Sequence, residues 1–219
     1  MRITRKQIER AIDDSRDPWM VSNGLLYALC ARYPNHRDTK AVIAKMLLIG
    51  RAYAAAAERG RSAGSTSGSS GDEFYVRDLP RALRASVLDA QLSALRRLRR
   101  IANDNAIQVV QVHSTLMSIL RDLTGLEKRS LASKYLHFHL PRLFFIFDGR
   151  SQRIMRSVSP KVGRRPNRLI SGADTQYEAF VASALALRDQ LEGRFGVQLT
   201  PRQLDRVLLW LEASSKRDT

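Results

Sequence analysis

The stretch LTGLEKRSLASKYLHFHLPRLFFIFDGRSQR, residues 123–153, contains most of what the sequence indicates about fold and function. It is rich in arginine, histidine and aromatic residues, and its apolar run 143–147 ends at Asp148. An ionised carboxylate beside an apolar segment is costly to desolvate unless a partner stabilises its charge. The position of Asp148 therefore indicates either a structural partner or a chemical role.

Around this stretch the chain is helical by pattern almost throughout. Apolar residues recur at helical spacing, and they predict helices over 4–16, 19–33, 39–59, 79–101, 106–123, 130–139, 151–158, 175–195 and 201–213. Residues 144–147 resemble a short strand, 60–72 a flexible Gly/Ser/Thr loop and 159–174 a long basic loop. No alternating run is long enough to build a sheet, so the predicted class is all-α.

The charge of the chain is strongly positive and unevenly distributed. The formal net charge is +16 in 219 residues. Residues 121–168 carry 12 Lys and Arg against 3 acidic residues, a net charge of +9. Because more than half of the excess lies in under a quarter of the chain, the charge favours a surface for a polyanion, most simply nucleic acid.

Several kinds of site and segment are excluded by the residues present. The single cysteine, Cys30, rules out a disulfide within one chain and a Cys-only metal site, and it suggests a reduced cytosolic compartment. His137 and His139 would point about 200° apart on a helix, which disfavours a metal pair. The N-terminus lacks the apolar core of a signal peptide, and no window approaches the roughly 18 apolar residues of a membrane span.

The beginning of the stretch carries a family resemblance. A helix that ends at a Gly-containing turn before a new helix resembles the helix–hairpin–helix element of the helix–hairpin–helix DNA glycosylases, roughly L-P-G-V-G-x-K-T-A. Leu123 matches the leucine, Thr124 stands at the proline, Gly125 at the first glycine, Leu126 at the apolar position and Ser130 at the threonine. Backbone amides at such a helix start can hold a phosphate.

The resemblance continues to the catalytic aspartate of that family, whose local pattern is roughly V-D-T-H-V-x-R. The sequence IFDGRSQR places Asp148 at the aspartate and Arg153 at the arginine. Nineteen residues separate Arg129 from Asp148, within the usual interval of the family. The resemblance is specific over residues 123–156 and covers the rest of the chain only through helical content and length.

Two positions depart from the family pattern. Glu127 replaces the second hairpin glycine and puts a carboxylate where a phosphate would approach, unless Lys128 and Arg129 neutralise it. Arg129 stands where bifunctional members have their Schiff-base lysine, and a guanidinium is not a practical amine nucleophile. Lys134 is near in sequence but out of register. The resemblance therefore implies a monofunctional enzyme.

The resemblance implies an all-α fold with a cleft between two helical lobes, one of residues 17–142 and one of residues 1–16 plus 143–219. It implies a monomer that flips a modified or damaged base out of double-stranded DNA and excises it, leaving an abasic site. No organic cofactor is implied, although a monovalent cation at the hairpin fits the family. Glycosylases of this kind serve repair or defence against invading DNA, and the sequence favours neither.

In this reading Asp148 is the catalytic residue. Breaking an N-glycosidic bond builds positive charge on the deoxyribose, and a fixed carboxylate stabilises that charge, especially where water is excluded. It can also orient or deprotonate the attacking water. The structural alternative is that Asp148 caps the helix near Ser151 or pairs with Arg150 or Arg153. Both roles are compatible.

Other candidate residues follow from the same resemblance. The expected DNA-binding residues are Gly125, Lys128, Arg129, Ser130, Lys134, Arg150, Arg153 and Arg156. Asn23 is a candidate to fill the gap left by a flipped base. Aromatic residues are candidates to stack on it, although such residues more often belong to the core: Trp19, Phe144, Tyr27, Tyr53, Phe145, Tyr177 and Trp210. The alternatives to an enzyme are a non-catalytic DNA- or RNA-binding module on the same fold and a helical scaffold in a larger assembly.

Overall fold

The computed structural model describes residues 3–13, 15, 17–53, 55, 57, 73–158 and 174–215. Within these ranges the chain is helical, as the sequence predicts, and contains no strand. The ten α-helices are α1 (Arg5–Ile12), α2 (Met20–Arg32), α3 (Thr39–Ala52), α4 (Leu79–Ala85), α5 (Leu88–Leu95), α6 (Ala106–Thr124), α7 (Arg129–His139), α8 (Gly149–Val158), α9 (Thr175–Phe195) and α10 (Pro201–Ser215). None of the helices in the described ranges is long and apolar enough to cross a membrane.

The helix ends follow the capping signals of the sequence. At the start of α1, Thr4 and Gln7 exchange side-chain-to-backbone hydrogen bonds, so that each satisfies a free N–H group of the other. Thr200 and Gln203 do the same before α10, where Pro201 takes the first helical position. Gly125 ends α6 in the left-handed conformation, with φ of 72°, which an L side chain adopts only with strain.

Four predicted elements differ from the structure. The helix predicted over 4–16 ends at Ile12. The helix predicted over 39–59 ends at Ala52. The helix predicted over 79–101 is broken into α4 and α5 at Ser86, whose Oγ accepts a hydrogen bond from the N–H of Leu88, and it is preceded by a π-helical turn, Phe74–Asp78. Residues 144–147 form no strand. The predicted loop 60–72 and residues 159–173 of the basic loop lie outside the described residues.

The helices surround one continuous apolar core. Helix α10 packs against α1 and α8, and α7 packs against α2, α3 and α6. Helix α7 is the most enclosed element, since every residue from Leu131 to Phe138 is buried. This burial places the polar side chains of α7 inside the protein, where each of them needs a partner.

The buried segment 143–147 needs hydrogen-bond partners from side chains. All five side chains are buried, yet the backbone belongs to no helix or sheet. Side chains therefore bind its peptide groups. Ser133 Oγ accepts from the N–H of Phe147 (3.0 Å), and the hydroxyl of Tyr177 donates to the carbonyl of Phe145 (3.0 Å). These contacts fix the segment in place, because an unpaired buried peptide group is costly.

His137 provides a further contact to this segment. Its Nδ1 lies 2.9 Å from the carbonyl oxygen of Phe144, which can only accept, so Nδ1 carries the proton. Nε2 then accepts from the hydroxyl of Tyr27 at 2.8 Å. Burial lowers the pKa of His137 to about 4, so the ring is neutral and holds one tautomer between α2 and the buried segment.

We expect Ser133→Ala to lower the free energy of unfolding by about 1–3 kcal/mol, because it leaves the buried N–H of Phe147 without its partner. Ser183→Ala is the matched control, since the hydroxyl of Ser183 donates to the carbonyl of Ala179 within its own helix. The control should change stability by less than about 0.5 kcal/mol. Urea unfolding of both variants measures the difference, and equal effects would contradict the role given to Ser133.

The pH dependence of stability tests the neutral histidines. His113 is also fully buried, and burial lowers its pKa to about 4. Because the pKa of each histidine is lower in the folded state, the unfolded chain binds more protons than the folded chain once the pH falls below about 6.5. Acidification therefore lowers the free energy of unfolding. We expect the stability advantage of the wild type over His137→Gln to shrink by about 2 kcal/mol between about pH 7.5 and pH 5.

His113→Gln should show the same pH-dependent difference, and the non-titrating variant Ser133→Ala should show none. A His137→Gln curve that runs parallel to the wild-type curve would mean that His137 is not held neutral. The comparison with a variant is needed because Asp205, whose pKa burial raises to about 7, changes stability in the opposite direction over the same interval.

Candidate active site

Asp148 is the N-cap of α8. Its Oδ1 accepts hydrogen bonds from the N–H groups of Arg150 (3.0 Å) and Ser151 (2.9 Å). Ser151 returns a contact, because its Oγ accepts from the N–H of Asp148 at 2.9 Å. The capping role considered from the sequence is therefore present. It occupies one carboxylate oxygen and leaves Oδ2 for another partner.

That partner is Lys134, which approaches from α7. Its Nζ lies 3.4 Å from Asp148 Oδ2 and donates to Ser130 Oγ at 3.0 Å. The side chain of Lys134 is 5% exposed and that of Asp148 is 24% exposed, so the pair lies at the edge of the core. The ring of Tyr53 faces the same amine, with Nζ 5.5 Å from the ring centroid, a distance at which aromatic rings attract cations.

The carboxylate of Asp148 is stabilised in its ionised form. Burial alone raises the pKa of Asp148, but the N–H of Ser151 and the charge of Lys134 outweigh it, and the net shift is downward. A carboxylate at the edge of a buried apolar segment thus keeps its negative charge. It is also held rigidly, by α8 on one side and by α7 on the other.

Further polar side chains link this pair to α2 and α3. The hydroxyl of Tyr53 donates to Oδ1 of Asn23, which is 5% exposed. The amide nitrogen of Asn23 lies 3.5 Å from Oδ2 of Asp17. Arg202, on α10, bonds to the same Oδ2 at 3.4 Å. The structure therefore connects Asn23, a candidate from the sequence, to the neighbourhood of Lys134 through Tyr53.

Asp205 is a second acidic group in this neighbourhood and was not among the residues predicted from the sequence. It is 4% exposed, its Oδ2 pairs with Arg202 at 3.3 Å, and its Oδ1 has no hydrogen-bond partner among the described residues. Burial raises its pKa to about 7, Arg202 opposes the shift, and the charge of Asp148 adds to it. The sequence does contain one indication of this site. Asp205 and Glu212 lie seven residues apart, and that spacing puts both carboxylates on the apolar face of α10.

The hairpin residues have different surroundings. Arg129 Nε lies 2.5 Å from Asp174 Oδ2, and Nη2 lies 2.5 Å from Glu127 Oε2. Burial lowers the pKa of Arg129, but Asp174 and Glu127 outweigh it and raise the value. Lys128 is the N-cap residue of α7. The structure thus brings Lys134 rather than Arg129 into contact with Asp148.

The remaining predicted residues lie on the surface or in the core. Arg150 and Arg153 are 54% and 66% exposed, and both pair with Glu212. Arg156 is exposed on the same helix. Trp19 is 54% exposed at the start of α2, whereas Phe144 is fully buried, so the structure puts Phe144 in the core and not on a surface that a base could reach.

The described residues contain no group of three or more His, Cys, Asp or Glu side chains placed to hold a metal ion. Comparison of the chain with protein-family models, with curated proteins and with solved structures finds no match.

A double-mutant cycle tests the contact between Asp148 and Lys134. Asp148→Asn removes the charge but keeps a good N-cap, and Lys134→Met keeps the apolar part of the side chain. We expect a coupling free energy on the order of 1–3 kcal/mol, because the pair is largely removed from water. The exposed pair Arg5 and Glu9, at 64% and 54% exposure, is the control and should couple by less than about 0.5 kcal/mol. Equal couplings in urea unfolding would contradict the assigned contact.

Proposed function

We propose that this protein is a monofunctional DNA N-glycosylase, which flips a modified or damaged base out of double-stranded DNA and hydrolyses its bond to the sugar. The observation that carries the proposal is Asp148 itself. It is an ionised carboxylate, partly exposed, fixed by a helix cap and by Lys134 at the end of a buried apolar segment. A carboxylate built in this way suits a reaction that develops positive charge on its substrate.

In the proposed reaction the bond between C1′ of the deoxyribose and the base nitrogen breaks, and the sugar develops positive charge. Asp148 stabilises that charge. A water molecule adds at C1′, Asp148 accepts one of its protons, and the base leaves with the electron pair of the broken bond and a proton from solvent. The product is an abasic site in an uncut strand.

Lys134 is a positioning residue in this proposal. Its ammonium group holds Oδ2 of Asp148 on the side opposite the helix cap. Its amine is bound by Asp148 Oδ2 and by Ser130 Oγ, and the guanidinium of Arg129 is bound by two carboxylates. No amine nucleophile is therefore assigned, and the strand stays intact.

The polar side chains beyond Lys134 are the proposed place for the extruded base. Asn23, Tyr53 and Arg202 supply hydrogen-bonding groups beside an aromatic ring, and flipped bases are held by such contacts. The exposed Arg150, Arg153 and Arg156 would hold the DNA backbone. The division into two lobes, 17–142 and 1–16 plus 143–219, belongs to the same proposal.

An excision assay on duplexes that carry different modified bases tests the proposal. We expect Asp148→Asn to lower the excision rate by two orders of magnitude or more, since one well-placed electrostatic group is commonly worth roughly 3 kcal/mol. DNA affinity should persist, because a negative charge near phosphates is removed. Asp38→Asn is the matched control, as Asp38 caps α3 through the N–H of Ala41 and should change the rate by less than about twofold.

Strand breaks should appear only after alkali treatment, and borohydride should trap no protein–DNA adduct. Full activity of Asp148→Asn would remove Asp148 from the reaction, and a trapped adduct that disappears in Lys134→Met would overturn the monofunctional assignment. DNA binding without excision of any base tested would favour the non-catalytic nucleic-acid-binding module.

A further inference from the structure

A cavity of about 310 Å³ lies between the end of α6, the hairpin and the start of α9. It is lined almost entirely by polar residues, among them Ser118, Arg121, Glu127, Arg129, Asp174 and Thr175. Neither Asp148 nor Lys134 lines it. The ring of Phe147 lies on the inner side of Arg129, 5.8 Å from Cζ. The cavity is therefore a separate site, about as large as a small ligand pocket.

Arg129 is held in this cavity by two carboxylates of different character. Asp174 is fixed, since its side chain is 7% exposed and its Oδ1 caps α9 by accepting from the N–H groups of Gln176 and Tyr177. Glu127 is 56% exposed, and Arg129 is its partner among the described basic groups. The ion pair with Glu127 is therefore exchangeable with solvent and solutes, whereas the ion pair with Asp174 is part of the fold.

A second guanidinium faces the same space. Arg121 has no carboxylate partner among the described residues, and its Nη2 lies 3.2 Å from Ser118 Oγ. The hydroxyl groups of Ser118 and Thr175 also line the cavity. Two guanidinium groups with neighbouring hydroxyls are the donor set that proteins use for phosphate, because a guanidinium presents parallel N–H groups to two oxygens.

We propose that this cavity binds a phosphate group and that Glu127 occupies the place of the phosphate in the free protein. With Glu127 paired, two arginines face two carboxylates and the cavity is neutral. When Glu127 turns outward, the charge becomes +1 and the outer N–H groups of Arg129 become available to the ligand. Glu127 thus competes with the phosphate for the guanidinium of Arg129 and lowers the affinity of the cavity for phosphate.

The proposal is independent of base excision, because it uses neither Asp148 nor Lys134. A free phosphate compound and a phosphate of DNA offer the same chemistry, so the experiment has one arm for each. Isothermal titration of the full chain with pyrophosphate is the first arm. Fluorescence titration with a short labelled DNA duplex is the second.

We expect Glu127→Gln to bind pyrophosphate at least tenfold more tightly than the wild type, and Arg121→Gln to remove that gain in the double variant. Glu9→Gln is the matched control, since Glu9 pairs with an exposed arginine and its change adds the same single positive charge. It should bind pyrophosphate as the wild type does. Circular dichroism of each variant confirms that it is folded.

Tighter binding of pyrophosphate by Glu127→Gln identifies a site for free phosphate compounds, and a gain confined to the duplex identifies a site for DNA phosphate. Equal affinities of Glu127→Gln and Glu9→Gln in both arms would overturn the proposal, because the effect would then be one of net charge alone. Asp148→Asn should bind pyrophosphate as the wild type does, so a failure of excision leaves this result unaffected.

Discussion

The fold depends on satisfying the peptide groups of a buried segment that has no regular structure. Residues 143–147 pass through the core without helix or sheet partners. The N–H groups of Leu143 and Phe144 bond back to the carbonyl of Leu140, and the peptide groups beyond them require side chains. Ser133 and His137 of α7, together with Tyr177 of α9, meet that requirement. The same contacts set the position at which the segment ends, and hence the position of Asp148.

Buried positive charges are stabilised in two ways in this protein. Lys45 is fully buried and bonds to the carbonyls of Tyr33 and Asn35, whereas the cations near the candidate site are paired with carboxylates. The buried or half-buried cations Lys134, Arg129 and Arg202 each have at least one carboxylate partner, which offsets the cost of removing them from water. The arginines of α8 are exposed, and two of them, Arg150 and Arg153, share the acceptor Glu212. Much of the positive charge of the described residues therefore lies at the surface.

Helix positions were largely predictable, because apolar periodicity and capping residues act locally. The predicted range 175–195 agrees with α9, and Thr200 and Pro201 mark the start of α10. Segment 144–147 was misread as a strand, because extended apolar residues have the same pattern whether a sheet or side chains bind their backbone. The contact of Asp148 with Lys134 rather than Arg129, and the approach of Asp205, depend on how distant helices pack. The spacing of residues within one segment does not indicate which distant helices pack together, so it could not predict these contacts.

The contact between the first and last helices has a consequence for synthesis of the chain. Arg206 on α10 donates to the carbonyl of Asp13, and Arg202 reaches Asp17 across 185 residues of sequence. During synthesis α1 is therefore made long before α10, the helix on which it packs, because the chain emerges from its N-terminal end. The polar groups around Asp148 that come from α2 and from α10 meet only once both helices have formed, so the site depends on one of the most non-local contacts of the fold.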